Sequence, residues 1–128
     1  MRIVILKNSE EIGEWTVAYV AEKINKANPT PEKPFVLGLP TGSSPIPAYR
    51  HMVRLYKEGK VSFRNVVTFN MDEYVGLSEE HPESYHYFMR HHLFDHIDIP
   101  RENVNILNGN AADLEAECKR FEARIQSL

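Results

Sequence analysis

The chain has 128 residues, 42% hydrophobic and 26% charged, a balance that supports one folded domain with a core and excludes a disordered segment. Its net charge of -3 arises from interspersed acids and bases, so the basic footprint of a nucleic-acid binder is missing. Its apolar runs are strand-length, far below the ~20 residues of a membrane span, and without a signal-peptide pattern the chain reads as cytoplasmic.

Arg2 to Leu6 reads as a short β-branched strand, and Asn8 or Ser9 can cap a helix running from Glu11. Ile12, Trp15 and Tyr19 recur at helical steps with Val20 and Ile24 beside them, so that stripe is expected to be the buried face of a helix ending near Asn28 and Pro29. Pro29, Pro31 and Pro34 forbid its continuation. Phe35-Val36-Leu37-Gly38-Leu39 is a continuous apolar run, as expected of a strand buried on both faces of a parallel sheet.

Beyond a turn at residues 40–45, a helix is expected with Ile46, Tyr49, Met52, Val53 and Tyr56 on one face, ending at Gly59. Val66 to Asn70 forms another strand, leaving through Met71-Asp72-Glu73-Tyr74. A helix is expected after Pro82, carrying Tyr85, Phe88, Met89 and Leu93 towards Pro100. Val104 to Leu107 makes a fourth strand and Asp113 to Ile125 a final helix, on which Cys118 packs into the core with Leu114 and Phe121. As the only cysteine, Cys118 permits no internal disulfide. This alternation implies an α/β fold, an open and mostly parallel sheet with helices on both faces, with residues 1–128 belonging to a single domain.

In such sheets ligands bind beyond the carboxyl ends of the strands. Two segments here carry suitable chemistry. In Thr41-Gly42-Ser43-Ser44-Pro45, Gly42 admits a ligand close to backbone, Ser43 or Ser44 can cap, and Pro45 suits a first helical position. Exposed amides and the positive helix end would face an anion such as phosphate; the plainer reading is an ordinary capped helix start. No Gly-Lys-Ser/Thr ending follows, so this is not a Walker A loop. In the second segment Asp72, at a strand tip, can be partly desolvated and serve as a general base, or can simply cap its loop.

The histidines at 81, 86, 91, 92 and 96 invite a metal reading, but no HExxH pattern is present, and adjacent His91 and His92 diverge by about 100° on a helix. They read as solvated or core histidines, with no metal site.

Taken together, Gly-Leu-Pro-Thr-Gly-Ser-Ser-Pro (Gly38 to Pro45), Val-Thr-Phe-Asn-Met-Asp-Glu-Tyr-Val-Gly-Leu (Val67 to Leu77) and His-Pro-Glu-Ser-Tyr (His81 to Tyr85) closely resemble the glucosamine-6-phosphate deaminases. The Asp-Ile-Pro-Arg-Glu-Asn, Leu-Asn-Gly-Asn and Ala-Glu-Cys segments extend the resemblance over nearly the whole chain. The related 6-phosphogluconolactonases share the phosphate-loop idea without the Phe-Asn-Met-Asp-Glu-Tyr run.

The resemblance implies conversion of glucosamine 6-phosphate and water to fructose 6-phosphate and ammonia by aldose-ketose isomerisation, without metal or organic cofactor. It implies that Asp72 moves the proton between C2 and C1, that Thr41, Gly42, Ser43 and Ser44 hold the phosphate, and that the full-length parent is a homo-oligomer. Family members are considerably longer than this chain. A Gly-Asp-Gly-His-x-Ala-Phe-Asn-Glu-Pro segment that opens the sugar ring follows the helix at which this chain stops, so the chain is expected to be an N-terminal half and inactive alone. Two rival expectations are a sugar-phosphate sensor without turnover and an interaction domain completed by a partner chain.

Overall fold

A computed structural model describes residues 1–128. The elements are α1 (Ser9–Ala27), β1 (Phe35–Leu39), α2 (Ile46–Lys57), β2 (Val66–Asn70), α3 (Tyr85–His92), β3 (Val104–Asn105) and α4 (Leu114–Gln126), with 3-10 turns at Phe94–His96 and Arg101–Asn103. The strands form one parallel sheet in the order β1-β2-β3. Phe35 lies opposite Val66 and Leu39 opposite Asn70, while Thr68 lies opposite Val104.

One face of the sheet carries the main core. Val17, Ala21 and Ile24 of α1, Tyr49 and Met52 of α2, and Met89 of α3 pack there with Leu39, Val66, Leu93 and Ile106. The opposite face carries a small cluster, in which Phe121 of α4 packs on Val67 and Phe69. Its ring meets Phe69 edge-on with centroids 5.5 Å apart. Helices therefore lie on both faces, as expected, but unequally.

That inequality explains the departures from the sequence reading. All five residues of β2 are buried, whereas β1 is buried on one side only, and Val36 is 47% exposed. β1 is an edge strand with nothing over the face that Val36 and Gly38 share, so its apolar run does not mark burial on both faces. Arg2 to Leu6 forms no strand, because no neighbour pairs with it, and Ile3 and Ile5 are exposed. The sheet thus has three strands, and the third is shorter than Val104 to Leu107.

Asn8 caps α1, its Oδ1 accepting from the Glu11 amide at 2.9 Å, and Asn28 closes it in the left-handed region at φ 46°. The buried face of α1 is Gly13, Val17, Ala21 and Ile24; Ile12, Trp15 and Tyr19 remain partly exposed, with the two aromatic rings stacked at 5.5 Å. The small residues win the core face because α2 approaches so closely. A Cβ on Gly13 would lie 2.8 Å from both the Ala48 nitrogen and the Pro47 carbonyl carbon. Gly13→Ala should therefore destabilise the chain by about 1–3 kcal/mol through overpacking, less about 1 kcal/mol gained in helix propensity. Urea unfolding followed by Trp15 fluorescence checks this, and a raised midpoint would contradict the close approach.

α3 stops at His92, well short of Pro100, because Leu93 leaves helical geometry at φ -140° and the 3-10 turn lets Leu93 and Phe94 both enter the core. Asp113 caps α4 as expected, accepting from the Ala116 amide at 3.0 Å. Cys118, however, is exposed, as Leu114 and Ile125 largely are. α4 has no second helix beside it on its face of the sheet, and Phe121 alone of that stripe is buried. No helix is long and apolar enough to cross a membrane.

Candidate active site

Because β1 and β2 are parallel with Leu39 opposite Asn70, the loops at residues 40–45 and 71–74 leave the sheet at the same end. Side chains fix the first loop where it starts. The Asn70 amide donates to the Leu39 carbonyl at 2.9 Å, and the buried Tyr49 hydroxyl donates to the Pro40 carbonyl. Burial raises the Tyr49 pKa, which keeps this hydroxyl a donor.

Gly42 follows in the positive-φ region at 94°. Neither Ser43 nor Ser44 caps α2. Pro45 itself occupies the cap position without a side-chain bond, and Pro47 sits in the first turn. The capping expectation fails because the chain turns through Ser43 instead, whose carbonyl accepts from the Ile46 amide at 3.3 Å. As a result the amides of Gly42, Ser43 and Ser44 have no acceptor within the chain, and all three residues are exposed. Thr41 is half-buried beside them, and Thr41 and Ser44 line a cavity of about 350 Å³ that runs along β1 past Leu37 and Gly38.

The carboxylate pair after β2 divides. Asp72 is exposed rather than partly desolvated, since the buried part of the strand ends at Asn70. Glu73 is the member drawn into the protein, its side chain only 2% exposed. Its carboxylate accepts from the Tyr74 and Tyr85 amides at 2.8 and 2.9 Å, and from the His86 amide and Nδ1 at 2.9 and 2.7 Å. Burial alone would raise its pKa, but these N–H donors outweigh it and hold the group below the ordinary carboxylate range.

Tyr85 joins the two loops. Its hydroxyl is 3.5 Å from that of Tyr74, and the rings are 4.9 Å apart. Its pKa is raised chiefly by the Tyr74 hydroxyl, then by burial and the Asp72 charge, while the nearby Thr41 hydroxyl works in the opposite direction. Thr41, Asp72, Tyr74 and Tyr85 thus share one neighbourhood. The sequence reading places Tyr85 at the start of a helix and in the His-Pro-Glu-Ser-Tyr motif and gives it no part in the site.

On its far side the Asp72 loop rests against residues 108–110. The Gly76 amide donates to the Gly109 carbonyl at 2.9 Å, and the Asn110 amide donates to the Leu77 carbonyl at 2.8 Å. A Cβ on Gly109 would come within 1.9 Å of the Tyr74 carbonyl oxygen, so only glycine fits there.

The histidines do not converge, and no group of three or more His, Cys, Asp or Glu side chains is arranged to hold a metal ion. His96 bonds the His91 carbonyl at 2.8 Å, and His91 and His92 rings meet at 85°. His86 is neither solvated nor a core residue, since it bridges Glu73 and, at 3.3 Å, Glu79. A larger cavity of about 510 Å³, between α3 and β3, includes His86, Glu79 and Arg90 but neither candidate loop.

Three parallel strands, with an amide-rich loop and a carboxylate at one end of the sheet, define an open α/β domain of the kind that binds small ligands at its strand tips. The family model described as glucosamine-6-phosphate isomerases/6-phosphogluconolactonase matches residues 7–128, and the chain belongs to that family.

Among its relatives, the glucosamine-6-phosphate deaminase of Yersinia enterocolitica is 60% identical over 99% of this chain and 48% of its own length. That of Phocaeicola vulgatus is 62% identical over 100% and 49%. The chain spans about half the length of the curated relatives it matches. A solved structure of a monomeric glucosamine-6-phosphate deaminase aligns over 99% of the chain and 51% of its own, at 40% identity and a TM-score of 0.90. The 6-phosphogluconolactonase of Thermotoga maritima, at 20% identity and a TM-score of 0.74, shares the fold.

Proposed function

We propose that this chain is the N-terminal part of the single α/β domain of a glucosamine-6-phosphate deaminase. In the complete enzyme, this chain continued by the segment its relatives carry, glucosamine 6-phosphate and water become fructose 6-phosphate and ammonia. Asp72 is the base that takes the C2 proton and returns it to C1. Thr41, Gly42, Ser43 and Ser44 bind the phosphate, and the enzyme works as a homo-oligomer in the cytoplasm.

The observation that carries this reading is the parallel Leu39–Asn70 register, which brings three unsatisfied amides and a carboxylate to one sheet end. Neighbouring strands lie about 4.8 Å apart, so the two loops flank a space on the scale of a hexose phosphate. Anchoring the phosphate at one loop fixes the sugar carbons relative to the acid on the other. The deaminase names of relatives at about 60% identity favour deamination over lactone hydrolysis, for which the likeness is one of fold.

Ser43→Pro tests the phosphate loop. It removes one amide donor, and a hydrogen bond to a charged group contributes about 1.5–3 kcal/mol, so KM should rise about tenfold or more while kcat changes less. Steady-state ammonia release by the complete enzyme measures both constants, and an unchanged KM would remove the loop from the phosphate site.

A further inference from the structure

We propose that Glu73 is a positioning residue for this reaction, its buried carboxylate fastening the Asp72 loop to the first turn of α3 so that Asp72, Tyr85 and Thr41 share one arrangement. The proposal rests on the reading of Asp72 as the base. Glu73 and Asp72 are adjacent, yet only Asp72 is exposed. Both Glu73 oxygens are fully engaged, one by the Tyr74 and Tyr85 amides and the other by the His86 amide and Nδ1.

Two of these donors are the first two amides of α3, which lack partners inside the helix, and the negative charge sits at the positive end of the helix dipole. The Tyr87 amide is taken separately by the Ser84 hydroxyl at 3.0 Å, so Glu73 is the sole acceptor for those two. The bonds close a segment of 12 residues onto its own end, and the Tyr85 side chain that meets Tyr74 and Thr41 leaves the helix at the point so held. His86 extends the fastening. Its Nδ1 carries the proton given to Glu73, and its Nε2 lies 3.3 Å from Glu79.

Four N–H donors converging on one side chain require an acceptor-only group. Glu73→Gln places an NH₂ against at least one of them and releases the loop without altering its length. Misplacement of a reacting group by about 1 Å costs on the order of 10² in rate, so kcat of the complete enzyme should fall by about 10- to 100-fold with KM within about threefold. If Glu73 acts through Asp72, adding Glu73→Gln to Asp72→Asn should lower kcat by less than about twofold further, the non-additivity expected of residues working as a unit. Independent structural damage would instead multiply the losses.

Multiplied losses in the double variant, or an unchanged kcat in Glu73→Gln, overturn the proposal. Near-normal turnover by Asp72→Asn removes the base assignment and this inference with it, and the Asp72→Asn arm makes that failure distinguishable. If Glu73→Gln does not fold, His86→Phe keeps the three backbone donors, deletes the Nδ1 bond together with the Nε2 contact to Glu79, and carries the same cycle, with an expected drop of about threefold or more for the lost charge-assisted bond to Glu73; no drop overturns the proposal.

Discussion

Asp72→Asn in the complete enzyme lowers kcat by about 10² or more and leaves KM for glucosamine 6-phosphate within about threefold, because a general base contributes roughly 10² to 10⁴ and little of that appears in the ground state. Asparagine keeps the shape of the side chain and cannot take a proton. The loop should survive the change, since its fixed points are elsewhere: the fully buried β2 behind it, Glu73 beside it, and the Gly109 contact beyond. Binding should survive as well, because the phosphate would be held by the amides of residues 42–44 on the neighbouring loop. An ammonia-release assay with near-normal turnover would place the base on another residue.

The 128-residue chain on its own is expected to show no measurable turnover and to self-associate. β1 pairs with β2 along one edge and with nothing along the other, which leaves a row of unpaired amides and carbonyls open to a second chain. Apolar surface is also open to solvent. Val36 lies on the uncovered face of β1, and Ile3, Ile5, Ile12 and Tyr19 are all exposed. The cavity that reaches Thr41 and Ser44 runs along the same open strand, so the loop proposed to bind phosphate lies beside that unpaired edge. Sugar-phosphate affinity should accordingly be weak. Light scattering together with the ammonia assay decides the matter, and a well-behaved 14.8 kDa monomer with robust turnover would refute both halves of the expectation.

Local signals in the sequence located every helix and the β1 and β2 strands. Asn8 and Asp113 cap as read, and Leu39 and Asn70 end their strands where the motifs begin. The misread burial patterns share one physical cause, which is that a pattern of apolar residues states what could be covered and not what covers it. Val36, Leu114, Cys118, Ile12 and the isoleucines of the Arg2 to Leu6 run all look like core and stay exposed in this chain.

At the candidate site, the placement of Asp72 and of the Thr41 to Ser44 loop at the tips of neighbouring strands was legible because both lie in short contiguous motifs. The contacts of Glu73, Tyr85 and His86 were not, since they reach across 12 or more residues, which no periodicity encodes. Gly109 was hidden for the same reason, its meaning residing in the Tyr74 carbonyl it nearly touches.

The Gly109 contact also has a meaning in time. The ribosome delivers Asp72 well before Gly109 and Asn110, and at about 5–20 residues per second the loop waits several seconds for the segment that clamps it. Until Gly109 slides beneath Tyr74 and Asn110 reaches Leu77, the Asp72 loop of the nascent chain is held only by β2 behind it and by the Glu73 bonds to the start of α3. Of the two loops at this sheet end, the one carrying Gly42 to Ser44 is shaped first and the one that bears Asp72 is finished last.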